Sequence, residues 1–442
     1  MKLFQLECKK ILSSRLNLIL LVLFTVLSIF FFQSNLETNT SYTHADGSLM
    51  SEKEVAQYID EEKQKWTGAM DEEWYKKLEK EYLIADRRME EQIYDFKKIE
   101  NTYGTDWYED YKSNGSKYVS EDAPKAEKEG RRVLFYNDNI THTKVDIKHE
   151  VIWSIYMNYA ETMVVKKPWN YKDGIDGALY SMYDNSKTPS FIYPRLVYSK
   201  SELLFMKDVM NNKGTFHYGN SKEWVNIIET IAMTGLLLLI WMVFIASDIL
   251  NKERKKNMLE VLSSCPKGKT NLFFSKVATV IACGMIGIVV MVGSLMVYAG
   301  LGGYVGDAMV NMTDGINAIC LFTYGEAFCI SIFYLMIGVI IVGTIGVVVS
   351  TYIKSSYRSL AVLFLLIFVP SFISSYLFPF DIYLPIELMR AGDMTIYNPI
   401  TTLFSTVAYT WIVLPMVWFP ICGVMLYITW KTYENRKYRC IS

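Results

Sequence analysis

The 442-residue chain has four histidines, His44, His142, His149 and His217, and one of them opens a pattern with chemical meaning. His149-Glu150-Val151-Ile152-Trp153 begins like a zinc-peptidase helix, in which a second histidine one turn later completes the metal site. Trp153 stands at that position, so the zinc reading fails at its key ligand. His142 and His149 are seven apart and share a helical face, but no cysteine or third ligand stands at metal spacing, and solvated surface histidines account for them. Gly268-Lys269-Thr270 imitates the end of a phosphate loop, whose backbone amides cradle phosphates while a lysine neutralises them. The first glycine of that pattern is Ser263 and no strand precedes it, so the match is read as a decoy. No Gly-x-Ser-x-Gly elbow occurs either. The reading is of a chain with no catalytic residue, no metal site and no cofactor of its own. A formal net charge of -1 also sets aside a nucleic-acid binder held to phosphate by a basic excess.

The elements that dominate the sequence are apolar. Hydrophobic residues make up 51% and aromatics 14%, while most of the charge is gathered between residues 33 and 225. A bilayer core of roughly 30 Å needs about 20 apolar residues in a helix. Uncharged runs meet that need at 16–32, 230–247, 277–306, 327–353 and 359–380, and a last stretch, 394–430, is too long for one crossing. The expected fold is an α-helical polytopic membrane protein with six transmembrane helices. An interfacial helix covers 1–15, the first span 16–35, the second 226–249, the third to fifth 277–373, an outer segment 374–403, the sixth span 404–430 and a tail 431–442. The run after Arg15 lacks a small-x-small cleavage site and is read as an uncleaved anchor.

Loop charges orient this arrangement. The 248–276 loop holds seven bases against three acids, and Lys354, Arg358, Lys431, Arg436, Lys437 and Arg439 lie in the other inner segments. Segments 302–326 and 381–393 are acidic, which puts both termini in the cytoplasm of a multi-pass cell-membrane protein. The intervening 36–225 is then a large, mainly α-helical extracytoplasmic domain. Ser51-x-x-Glu54 reads as a capping box, and a longer helix from Asp71 carries Trp74, Leu78, Tyr82, Ala85, Met89, Ile93 and Phe96 as an apolar stripe ending at Gly104. An apolar helix is expected over 151–165, and a last one from Ser199 to Gly214. All seven cysteines lie outside this domain, so its hydrophobic core supports it without disulfides.

The most informative segment is the basic loop from Ser247 to Lys276. It reads as a helix continuing out of the second span, then a short amphipathic helix with Met258, Leu259, Val261 and Leu262, ended by Pro266. Such a helix lies at a membrane surface or docks into a partner's groove. The order acid, Glu253-Arg254, Leu259-Glu260-Val261-Leu262, Pro266 and a downstream Lys resembles the coupling loop of ABC-2-type permeases, the membrane subunits of ABC exporters. Asn257-Met258 departs from the usual Gly-Thr after the basic pair. The resemblance extends to the amphipathic amino terminus, where Phe4, Cys8, Ile11 and Leu12 share a face flanked by Lys2, Lys9 and Lys10.

The resemblance implies that Glu253, Arg254, Leu259, Glu260, Leu262 and Pro266 dock a separate cytoplasmic ABC ATPase, which binds the ATP and Mg. It implies a second permease copy or sibling chain, with membrane lipid as the surroundings. It also implies that the outer segment caps an exit, where Glu387 and Arg390, three apart, pair on one turn or act as a gate. Small residues Gly284, Gly287, Gly338, Gly343, Gly346 and Ser350 suit either helix packing within the chain or a dimer contact. The function expected is a permease exporting an amphipathic substrate such as an antimicrobial peptide or lipid. The alternative is a membrane sensor whose outer domain binds a ligand and signals through the helices.

Overall fold

The computed structural model describes residues 2–36, 42–44, 47–120, 131–137, 144–166, 201, 205, 208, 217–255, 268–312, 322–372, 381–397, 400–403 and 406–435. The chain forms two compact units, one holding Met1–Glu37, Val164–Gly214 and Ser221–Ser442, the other Thr38–Met163 and Thr215–Asn220.

The second unit is built from helices α3 (Glu52–Gln64), α4 (Glu72–Ile93), α5 (Phe96–Tyr103), α6 (Trp107–Ser113) and α7 (Lys144–Lys166). Short strands β1 (Gly68–Ala69) and β4 (His217–Tyr218) pair antiparallel, and β2 (Tyr118–Ser120) and β3 (Arg132–Leu134) pair parallel. Side-chain caps start three of the helices: Ser51, Asp71 and Asp95 each accept a hydrogen bond from the backbone amide three residues on. The single long helix expected from Asp71 to Gly104 is two. Asp95 opens the second, because its carboxylate takes the Lys98 amide while its own amide donates to the Phe135 carbonyl. Gly104 ends that helix at φ 91°, a conformation only glycine adopts without strain. Helix α7 begins at Lys144, earlier than the apolar run predicts. Ile99, Trp107, Tyr118 and Leu134 form a buried core against which Tyr94, Phe96, Tyr103 and Tyr111 pack. His149 meets Asp86 at 3.4 Å and stacks on Tyr82, which makes it part of the packing between α4 and α7. The helix expected over 199–214 lies almost wholly outside the described residues.

The first unit is a helix bundle. Its elements are α1 (Lys2–Leu12), α2 (Arg15–Asn35), α8 (Trp224–Asp248), α9 (Asn251–Lys255), α10 (Gly268–Leu301), α11 (Tyr324–Tyr352), α12 (Ser356–Phe372), α13 (Pro385–Met389), α14 (Ala391–Tyr397) and α15 (Thr410–Asn435). Among the described residues, α2, α8, α10, α11 and α15 are long and apolar enough to cross a membrane, and α12 is a shorter apolar helix of 17 residues. Helices α8 and α11 are buried over most of their length, while α2 and α15 are mostly exposed along apolar faces. The first pair is therefore the centre of the bundle. Exposed Leu16, Ile19, Val22, Val26 and Phe30 on α2 give the apolar outer surface of a helix in lipid.

The small residues serve packing within the chain. A Cβ on Gly284 would collide with Val339 and Met242, one on Gly287 with Leu238 and Trp241, and one on Gly346 with Ala246. Such residues let helix backbones approach closely, which substitutes in lipid for the hydrophobic drive of water. Between α14 and α15 the expected apolar segment is an antiparallel hairpin, β5 (Ile400–Leu403) and β6 (Thr406–Tyr409), with Ile400 opposite Tyr409.

Candidate functional site

The site forms at one end of the bundle, where α1, α9 and the start of α10 meet. Helix α1 is amphipathic, and Glu7 stands on its apolar side between Phe4, Cys8 and Ile11. An acid there has to find a base. That base is Lys276, carried by α10, which starts at Gly268 and so encloses Lys276 within a helix rather than leaving it in a loop. Its side chain has no exposure to solvent, and its Nζ lies 2.6 Å from Glu7 Oε2 and 2.5 Å from Glu253 Oε1. Lys10 approaches the same Glu253 oxygen at 2.8 Å and Glu7 at 3.8 Å. Two acids and two bases make the group neutral, and their mutual attraction offsets the cost of taking Glu7, Glu253 and Lys276 out of water. Burial alone would push the Glu253 carboxyl up, but Lys276 and Lys10 outweigh it and hold it below its ordinary value.

Arg254 ties the same short helix to α11. The last carbonyls of any helix lack intrahelical partners and carry its negative dipole end. Arg254 donates to those of Ser350 at 2.7 Å, Thr351 at 2.9 Å and Ile353 at 3.1 Å, and to Asn251 Oδ1 at 2.9 Å. Asn251 in turn donates to the Ser247 carbonyl at 2.9 Å, which holds α9 to the end of α8. A planar five-donor fork reaches three carbonyls together; a lysine ammonium does not have that geometry. Arg254→Met is expected to lower stability by about 1.5–3 kcal/mol, the range for hydrogen bonds to charged groups, with Arg254→Lys recovering only part. Thermal unfolding of the purified protein in one detergent checks this, and equal midpoints for Met and Lys would refute the fork argument.

The resemblance implied that Glu253 and Arg254 touch a partner. In the structure Glu253 is buried and Arg254 donates to the carbonyls that end α11, so both brace the base of the loop. Leu259, Glu260, Leu262 and Pro266 lie outside the described residues. The sequence reading takes Lys276 only as the end of the basic loop and misses Glu7; Lys276 leaves a signal, a lone charge among apolar neighbours at helical spacing, whereas Glu7 has Lys10 three residues on. Gly268-Lys269-Thr270 is the first turn of α10, and Thr270 Oγ1 accepts from Trp430 Nε1 at 3.3 Å.

A second charged group lies far along the chain. Arg390 joins α13 to α14, with Nη1 3.3 Å from Glu387 Oε2 and Nη2 2.6 Å from Asp393 Oδ2. The expected pairing of Glu387 and Arg390 is present, and Asp393 completes it. These residues do not sit over the helix ends. A Cβ on Gly235, next to the midpoint of α8, would overlap the Met389 carbonyl, and one on Gly338, at the midpoint of α11, would reach the Met389 sulfur. Gly392 then packs on the Ile228 carbonyl and Thr395 bonds Ser331 at 2.9 Å, both nearer the start of those helices. The segment enters the bundle to half its depth and returns. None of the apolar runs carries a central charge, yet the tertiary structure brings Glu387 and Arg390, which flank Leu388 and Met389, to the middle of α8 and α11.

A neutral-to-apolar bundle of membrane-length helices, closed at one end by a buried ion cluster and entered by a folded segment, defines a polytopic helical membrane protein. The chain belongs to the ABC-2 family of transporters: the profile described as ABC-2 family transporter protein matches residues 15–430. It is the membrane permease of an ABC transporter, a transport subunit and not the catalytic one. No curated protein and no solved structure matches it.

Proposed function

We propose that the chain is the permease of an ATP-driven exporter that moves an amphipathic substrate, worked by a separate cytoplasmic ABC ATPase that binds the ATP and Mg. The observation that carries this reading is the ion cluster of Glu7, Lys10, Glu253 and Lys276 together with the Arg254 fork. These contacts lock the base of the basic loop to α1, α10 and α11, so a push on residues 256–267 is handed to three elements at once. Leu259, Glu260, Leu262 and Pro266 are the surface the ATPase grips, and Glu253 and Arg254 make that grip rigid. The basic loop and both termini face the cytoplasm by the positive-inside rule, which leaves the unit holding Thr38–Met163 outside the membrane.

The shorter α12 counts as the fifth of six crossings, and two copies of the chain, or one with a sibling permease, enclose the path in the cell membrane. The segment with Glu387 and Arg390 acts as the gate, since it fills the middle of the bundle and has to move before anything passes. ATP binding draws the two ATPases together, tilts the gripped loops and opens the bundle outward. Co-purification with an ABC ATPase, followed by ATP turnover in lipid, tests the assignment. Glu260→Lys and Pro266→Ala are expected to leave the bundle folded and to reduce transport per ATP by about tenfold. Full coupling in both variants would reject the docking surface.

A further inference from the structure

Three bases of the unit holding Thr38–Met163 line one cavity of about 120 Å³. Arg88 comes from α4, and Lys144 and Lys148 come from α7, where a spacing of four residues puts both on one helical face. Ala85, buried one turn before Arg88, also lines the cavity, and its single methyl group leaves the space open. Tyr58 of α3 supplies a further wall, and its ring holds the Lys144 ammonium 5.3 Å from the centroid. The volume is far above the ~10–15 Å³ that one water needs and far below the ~300–1,000 Å³ of a pocket for a drug-sized molecule. It suits one compact polar group.

Like charges four apart on a helix repel, and Arg88 adds a third from the facing helix. The acids around them are already engaged. Glu81 of α4 meets Lys148 at 3.2 Å, and Asp86 meets Lys112 at 2.6 Å. On α3, Glu61 accepts from Gln57 at 3.0 Å and Glu62 from Lys65 at 2.5 Å. Asp146 of α7 is buried and does not line the cavity. Among the described residues, no carboxylate lies within ion-pair distance of Arg88 or Lys144, and both side chains are exposed, so an anion has access. Helix α7 starts at Lys144, which brings the positive end of its dipole to the same place. A carboxylate offers two oxygens in one plane. A phosphoryl group offers oxygens in several directions, so a guanidinium fork and two ammonium groups on two helices can each take their own. We infer that Arg88, Lys144 and Lys148 form a binding site for a phosphoryl group, either free phosphate or the diester of a lipid head. This site stands independently of the export reading.

Isothermal titration of the full chain in a maltoside detergent, which carries no phosphate, tests the site. The probes are inorganic phosphate and glycerophosphoglycerol, a lipid head diester without its chains, at constant ionic strength set with sodium chloride. Saturable binding of at least one probe is expected, with a Kd of about 1 mM or below. Arg88→Gln and Lys144→Gln are each expected to weaken it at least about tenfold. Glu81→Gln, which removes the acid from Lys148, is expected to tighten it about two- to fivefold. Lys97→Gln makes the same charge change on α5 and should leave the affinity unchanged. Tighter binding of inorganic phosphate assigns the site to the free anion, and tighter binding of the diester assigns it to a lipid head; either result supports the site. Binding of neither probe, unchanged affinity in both Arg88→Gln and Lys144→Gln, or a loss in Lys97→Gln equal to theirs would overturn it. Glu81→Gln moves the affinity in the opposite direction, so a variant that merely unfolds cannot imitate the set.

Discussion

Lys276→Met is expected to destabilise the protein by about 3–5 kcal/mol, the range for breaking a buried ion pair from one side. The loss arises because Glu7 and Glu253 stay buried with Lys10 as their remaining base, so the group passes from neutral to an excess negative charge. A second change should reverse much of it. In Lys276→Met with Glu253→Gln, Glu7 and Lys10 are left as a balanced pair, and the two substitutions should couple favourably in a double-mutant cycle. Thermal unfolding in detergent reads the stability, and transport per ATP reads the grip between loop and bundle; additive effects of the two changes would sink the cluster as a unit. The pH dependence has a definite sign. The carboxyl of Glu253 is held below its ordinary value of about 4.3, so its contribution is complete above that value and is lost as the pH falls through the lowered one. The contribution of Glu253 should therefore be unchanged between neutral and mildly acidic conditions and be lost only in strong acid.

The second large effect is expected at Gly235. A methyl group there meets the Met389 backbone carbonyl, which no side-chain rotation can clear, so the segment carrying Arg390 must retreat from the middle of the bundle. Overpacking of this kind costs about 1–3 kcal/mol and occasionally more. Gly235→Ala should also cut the transport rate by at least about tenfold, because the displaced segment is the part that opens and closes the path. Gly392→Ala, whose methyl meets the Ile228 carbonyl, should behave alike. Gly293 on α10 has nothing near the position of an added Cβ, and Gly293→Ala should keep normal rate and stability. Rates and unfolding midpoints of the three variants in the reconstituted complex provide the check, and a Gly235→Ala protein indistinguishable from Gly293→Ala would refute the packing argument.

The contrast between these two sites shows what could be read before folding. The membrane character, the long apolar helices, the N-terminal amphipathic helix and the basic loop follow from composition and period, because a helix in lipid must satisfy its own backbone and present apolar side chains whatever its neighbours do. The caps at Ser51 and Asp71 are equally local, since a cap and its amide are three residues apart. The break at Asp95 was not legible, because it depends on the Phe135 carbonyl some forty residues on.

The same distinction separates the functional parts. Residue types and charge order alone determined that the chain is a multi-pass membrane protein with a basic loop between two of its spans, and the order of residues in that loop carried the resemblance to ABC-2 permeases. Only the tertiary structure decided that Lys276 joins Glu253 to Glu7, that Arg254 closes the end of a distant helix, and that the segment carrying Glu387 and Arg390 reaches the middle of the bundle. Burial and pairing are properties of places that distant segments make together, and a single stretch of sequence carries the charge without the partner that gives it a role.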